Sequence, residues 1–130
     1  MSMGKDGGAG RILVVDDEPD IREFVRRSLG HEGYEVAVAE DGYAALRQLD
    51  GGVFDLLLTD IVMPDLDGIS LALKAARDFP KMKIIMMTGY AGERGRAHNL
   101  DALVADILGK PFTREELRRC VTGAMQKKLV

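Results

Sequence analysis

After Arg11 the chain changes its hydrophobic period again and again, and this alternation restricts its fold more than any other feature. Short apolar runs of strand length lie at Arg11–Val15, Glu35–Ala39, 54–59, 83–87 and 105–109, and each is followed by a longer segment. In those segments apolar residues recur at the spacing that puts them on one side of a helix. The first helix is predicted from Pro19, a residue tolerated in a first turn, with Ile21, Phe24, Val25 and Leu29 as its stripe and Gly33 at its end. The second covers 42–49 and stops at Gly51 and Gly52, the third covers 68–79 ahead of Pro80, and the fourth covers 93–103. The last opens at Thr113 with the box Thr113-Arg-Glu-Glu116, in which each end side chain accepts from the other end's backbone N–H. Leu117, Cys120, Val121 and Ala124 then form its stripe.

Five strands alternating with five helices imply a parallel sheet, because parallel neighbours need crossover connections and the helices must then cover both faces. The expected architecture is α/β in three layers. The chain of 130 residues suffices for one domain, predicted over 11–128. Hydrophobic residues make up 46% but aromatic ones only 5%, with no Trp, so aliphatic side chains and Met must fill the core. Residues 1–10 are polar and glycine-rich; they are expected to form a disordered tail and have no apolar segment of a signal peptide. No stretch reaches the ~20 apolar residues of a membrane helix, so no membrane partner is expected. A net charge of −3 with mixed signs argues against nucleic-acid binding through a basic surface. A single cysteine, Cys120, points to a reducing, cytoplasmic setting and reads as a small apolar residue. His31 and His98 lack a partner at metal-ligand spacing and read as surface residues.

The chain turns polar at the strand ends. Asp16 and Asp17 close the first strand, Asp60 the third and Thr88 the fourth, and Lys110 follows the fifth. In an open parallel sheet all strand C-termini share one edge, and ligands bind there where the strand order reverses. With the flavodoxin-like order 2-1-3-4-5, strands one and three are neighbours at the reversal. Asp16, Asp17 and Asp60 would then share a shallow pocket, with Thr88 and Lys110 beside it. Three crowded carboxylates require a proton or a cation. An all-oxygen set in a small open site suits Mg²⁺. A carboxylate so held can attack phosphorus, while an ammonium and a hydroxyl take phosphoryl oxygens.

These residues resemble the receiver domains of response regulators over essentially 11–127. The resemblance rests on Ile12-Leu-Val-Val-Asp-Asp-Glu18, Leu56-Leu-Leu-Thr-Asp-Ile-Val-Met-Pro-Asp-Leu-Asp-Gly68, Ile84-Ile-Met-Met-Thr-Gly89 and Gly109-Lys-Pro-Phe112. Each motif alone is weak, and four in order are strong. The resemblance implies that Asp60 is the phosphoacceptor, Asp17 a direct metal ligand, Asp16 a ligand acting mostly through water, and the Val62 backbone carbonyl the last protein ligand. It likewise implies that Thr88 is the switch hydroxyl, that Lys110 binds phosphate, and that the peptide before Pro111 is cis. The phosphoryl donor would be a phosphohistidine of a sensor kinase or a histidine phosphotransfer protein. The output would be association with a protein target at the face made by the fourth helix, fifth strand and fifth helix. Output by DNA binding or catalysis within these 130 residues is not expected.

The chain departs from the family twice. Ile107 stands where receivers commonly carry a rotating Tyr or Phe, which leaves Tyr90 as the aromatic candidate near the switch. The resemblance implies that Val62 and Tyr90 flank the path of attacking water; neither side chain orients water well, so self-dephosphorylation is expected to be slow. Asp65 and Asp67 read as turn or cap residues, and Met63, Met82, Met86 and Met87 as core filler. A phosphohydrolase of the haloacid dehalogenase type is disfavoured because Val62 replaces its second Asp. A flavodoxin-like cofactor carrier is disfavoured because Asp16-Asp17-Glu18 would repel a phosphate. The remaining alternative is a docking module of the same fold that works without phosphorylation.

Overall fold

A computed structural model describes residues 9–89 and 102–127. The sheet has five parallel strands: β1 (Arg11–Val15), β2 (Glu35–Ala39), β3 (Leu56–Asp60), β4 (Lys83–Thr88) and β5 (Asp106–Gly109). Their spatial order is β2-β1-β3-β4-β5. The described helices are α1 (Pro19–His31), α2 (Gly42–Gly51), α3 (Gly68–Asp78) and α4 (Arg114–Gln126). Four helices are thus found among the described residues against five predicted. The helix expected over 93–103 lies almost wholly outside them, and Ala102 and Leu103 at its end form a turn.

The central strands bury both faces, and their side chains divide by the period-two rule. Leu13, Val15, Leu57, Ile84 and Met86 face one way, onto Ala45 and Leu49 of α2 and Leu71, Ala72 and Ala75 of α3. Ile12, Val14, Leu56, Leu58, Ile85 and Met87 face the other, onto Val25 and Leu29 of α1 and Leu117, Val121 and Ala124 of α4. Met63, Met82, Met86 and Met87 are all buried, as fillers of an aromatic-poor core.

Two expectations need correction. The third strand runs Leu56–Asp60, two residues later than its start predicted at Phe54. Phe54, in the loop before the strand, is nevertheless buried in the α2–α3 side of the core, and its ring also lies under the Arg11 guanidinium, 4.6 Å from ring centroid to charge. Phe24, assigned to the core stripe of α1, is 38% exposed and packs its ring against Phe112 at 6.1 Å. Cys120 is half-buried against the α1–α4 side of the core, as read from the sequence, and its thiol also donates to Asp106 Oδ2 at 3.5 Å. Burial and the Asp106 charge push that thiol up to about 12, so it stays protonated at neutral pH.

The helix starts follow local chemistry. Asp41 caps α2 by accepting from Ala44 N–H, Asp67 caps α3 by accepting from Ser70 N–H, and the Thr113–Glu116 capping box is closed at both ends. Gly33, at φ +96°, lies just beyond α1 in the left-handed region that favours glycine.

Candidate functional site

Asp60 is the last residue of β3, pairing in register with Met87 of β4, and Ile61 N–H then donates to Met87 O at 3.2 Å. Beyond it the chain makes a turn through Asp65, at φ +69°, a left-handed position that Asp tolerates. The turn closes where Gly68 N–H donates to Ile61 O at 2.7 Å. A Cβ at Gly68 would stand 1.9 Å from the Asp60 carbonyl oxygen, so only glycine lets α3 begin this close to β3.

On the neighbouring strand Asp16 leaves the sheet after its N–H donates to Ala39 O. It has no exposed surface, and each of its oxygens has a donor. Oδ1 accepts from Glu18 N–H at 2.9 Å, Oδ2 from the Lys110 ammonium at 2.8 Å, and the carbonyl from Arg22 Nη1 at 2.8 Å. Asp17, next in the chain, is exposed and has no hydrogen bond or ion pair with any described residue. Oxygens of Asp16, Asp17 and Asp60 all lie within 4.8 Å of one another. Lys110 follows β5 and is joined to Pro111 by a cis peptide. Its Nζ lies 3.4 Å from Asp60 Oδ2 and 3.7 Å from Glu18 Oε1. Its backbone N–H donates to Thr88 O, which keeps the end of β5 beside the end of β4. Thr88 is buried there at 3% exposure. Asp17, Glu18, Asp60, Val62, Lys110 and Pro111 line one open crevice on the carboxyl edge of the sheet.

The remaining predicted residues fall as follows. The Val62 side chain is 52% exposed at the crevice. Ile107 sits on β5, half-buried against the α2–α3 side of the core. Tyr90 and His98 lie outside the described residues, and His31 is exposed at the end of α1.

Burial raises the pKa of Asp60, the Lys110 charge lowers it and the Asp16 charge raises it again, for a result of about 6. For Lys110 burial disfavours the ammonium, but the Asp16 hydrogen bond and the charges of Asp16 and Asp60 outweigh it, so its pKa rises above the ordinary value. The site therefore holds excess negative charge that one lysine does not neutralise. The donor set fits a hard dication. Mg²⁺ keeps its oxygens at about 2.1 Å, so opposite ligands stand about 4.2 Å apart. A 4.8 Å spread suits an ion bound directly by some carboxylates and through water by another.

Sequence reasoning missed three neighbours of this site. Glu18 was visible only as the end of an acidic run. Arg22 gave no signal beyond being a charged helical residue. Gly68 was quoted within a motif, but its steric role needs the β3–α3 approach.

The chain matches the response regulator receiver domain family over residues 12–122. It is 39% identical over 107 residues to the response regulator receiver protein CpdR of Brucella abortus, covering 82% of this chain and 89% of that protein. It is 40% identical over 107 residues to the response regulator MprA of Mycobacterium ulcerans, of which it spans only 46%, about half the length. Among solved structures, TrrA of Thermotoga maritima, in complex with Mg²⁺ and BeF, superposes with a TM-score of 0.79 at 38% identity, covering 86% of this chain and 96% of that one. A CheY-like receiver from Methanospirillum hungatei superposes with a TM-score of 0.82 at 35% identity, covering 88% and 92%. A chain with this strand order, an acidic crevice at the sheet's carboxyl edge and these relatives belongs to the receiver domain family of two-component response regulators, whose members signal through phosphorylation of an aspartate.

Proposed function

We propose that Asp60 accepts a phosphoryl group from the phosphohistidine of a sensor kinase or histidine phosphotransfer protein in the cytoplasm, and that the phosphorylated domain signals by binding another protein. The observation that carries this reading is the meeting of three carboxylates within 4.8 Å beside the Lys110 ammonium. Mg²⁺ would be held by Asp17, Asp60 and the Val62 carbonyl, with Asp16 acting through water. When bound, it supplies the positive charge that neutralises phosphoryl oxygens.

An Asp60 oxygen forms the bond to phosphorus while the P–N bond to histidine breaks in line, and the imidazole leaves with the electron pair. Lys110 exchanges its contact with Asp16 Oδ2 for a phosphoryl oxygen, a short movement for a flexible ammonium already 3.4 Å from Asp60. The Thr88 hydroxyl donates to another phosphoryl oxygen, and its movement shifts the population toward the active shape. The target would read a face that includes β5 and α4 and the segment expected as the fourth helix, most of which lies outside the described residues, with Ile107 and Tyr90 as the switch positions. The solved TrrA complex with Mg²⁺ and BeF supports the reading by kinship.

Intact-mass analysis after incubation with acetyl phosphate and Mg²⁺ tests it. The wild type is expected to gain one phosphoryl group, and Asp60→Ala to gain none. A wild type that gains none, and shows no bound beryllofluoride by fluorine NMR, would instead be a phosphorylation-independent docking module.

A further inference from the structure

We propose that Arg22 is a positioning residue for the metal site: it holds the Asp16–Asp17 peptide so that Asp17 faces the crevice. The inference rests on the reading of Asp16, Asp17 and Asp60 as a Mg²⁺ site. Arg22 lies in the first turn of α1, where its own N–H donates to Glu18 O. A cation there opposes the helix dipole, which favours acidic residues at this end. Its side chain is half-buried, and it forms no ion pair with a described residue although Asp17, Glu18 and Asp20 are close in sequence. Instead its guanidinium donates to an uncharged acceptor, the Asp16 carbonyl, at 2.8 Å.

That carbonyl is the first on the strand edge with no sheet partner, because β1 ends at Val15 and the Asp16 N–H makes the last bond, to Ala39. The Asp16 carboxylate is anchored on both oxygens, but Asp17 has no anchor of its own. The plane of the peptide joining them sets the direction of the Asp17 side chain, and Arg22 is the side chain that fixes this plane. Without Arg22 the carbonyl would turn toward water and carry Asp17 with it. Outer residues that orient ligands in this way commonly control metal affinity by tenfold or more.

The test uses the full chain, with Mg²⁺ titrations followed by backbone amide shifts and metal-free melting curves. Arg22→Ala is expected to weaken Mg²⁺ binding by about tenfold, with little change in the metal-free Tm, and Arg22→Lys to weaken it less. Wild-type Mg²⁺ affinity in Arg22→Ala, whether or not its Tm falls, would overturn the inference and leave Arg22 a merely structural bond. Should Arg22→Ala not fold, Arg22→Lys decides, since it keeps the charge but not the fixed fork: unaltered affinity in it overturns the proposal. Asp17→Asn separates the two levels. If it loses Mg²⁺ binding while the Arg22 variants keep theirs, only the role of Arg22 fails. If it binds Mg²⁺ like the wild type, the site itself has been misassigned.

Discussion

At the scale of single residues, the site works by placing a carboxylate where it is uncomfortable. Asp60 is 6% exposed and faces Asp16, and Lys110 offsets only part of that cost. A pKa near 6 corresponds to roughly 2–3 kcal/mol of preference for the neutral form over an ordinary Asp. Asp60→Asn should therefore stabilise the metal-free protein by about 2 kcal/mol at pH 7.5, read as a higher urea midpoint in EDTA, while removing phosphorylation. Val62 belongs to the same scale. Its exposed apolar side chain lines the crevice and offers no atom to orient water. A Val62→Asn, Tyr90→Glu double variant should lose its phosphoryl label several-fold faster than the wild type in a phosphate-release assay.

At the scale of elements, the close approach of α3 to β3 delivers Asp60 and Val62 together. Gly68→Ala would drive a methyl into the Asp60 carbonyl, and backbone cannot yield as a flexible side chain does. The expected cost is about 2 kcal/mol or more, seen in the urea midpoint, together with slower uptake of phosphate from acetyl phosphate. The capping box of α4 is remote from this chemistry. Thr113→Ala should cost about 1 kcal/mol in the same denaturation experiment and leave phosphate uptake unchanged, since among the described residues the hydrogen bonds of Thr113 go to Glu116 and Leu117 and to no site residue.

At the scale of the molecule, the crevice links stability to pH. The folded protein raises Asp60 from its ordinary value to about 6, so its burial costs nothing while both states are protonated, below about pH 4. Between there and pH 6 the unfolded chain gives up this proton and the folded one keeps it, so the contribution of Asp60 to stability falls as pH rises. In EDTA the Tm difference between Asp60→Asn and the wild type should therefore widen across that window and level off above it. With Mg²⁺ present the fall should shrink for the wild type, because metal and proton compete for one carboxylate. A metal-induced Tm shift that does not grow as pH rises through 6 would contradict the site.

The strands, their order and the two-sided core were legible because a parallel sheet needs apolar runs at strand length with helical stripes between them. Short-range rules likewise announced the Thr113 capping box and Gly33. The convergence of Asp16, Asp17, Asp60 and Lys110 was legible from their positions at strand ends, since topology alone brings such ends to one edge. What the one-dimensional pattern could not contain were contacts between segments distant in sequence or across a turn. Phe54 looked like strand because a loop residue can also be buried in the core, and Phe24 looked like core because Phe112 was not yet beside it. The 2.8 Å bond from Lys110 to Asp16 and the steric exclusion of a Cβ at Gly68 were likewise set by tertiary structure alone. Periodicity reports which face a residue occupies, but only packing in three dimensions decides which atoms meet there, and burial then sets the charge they carry.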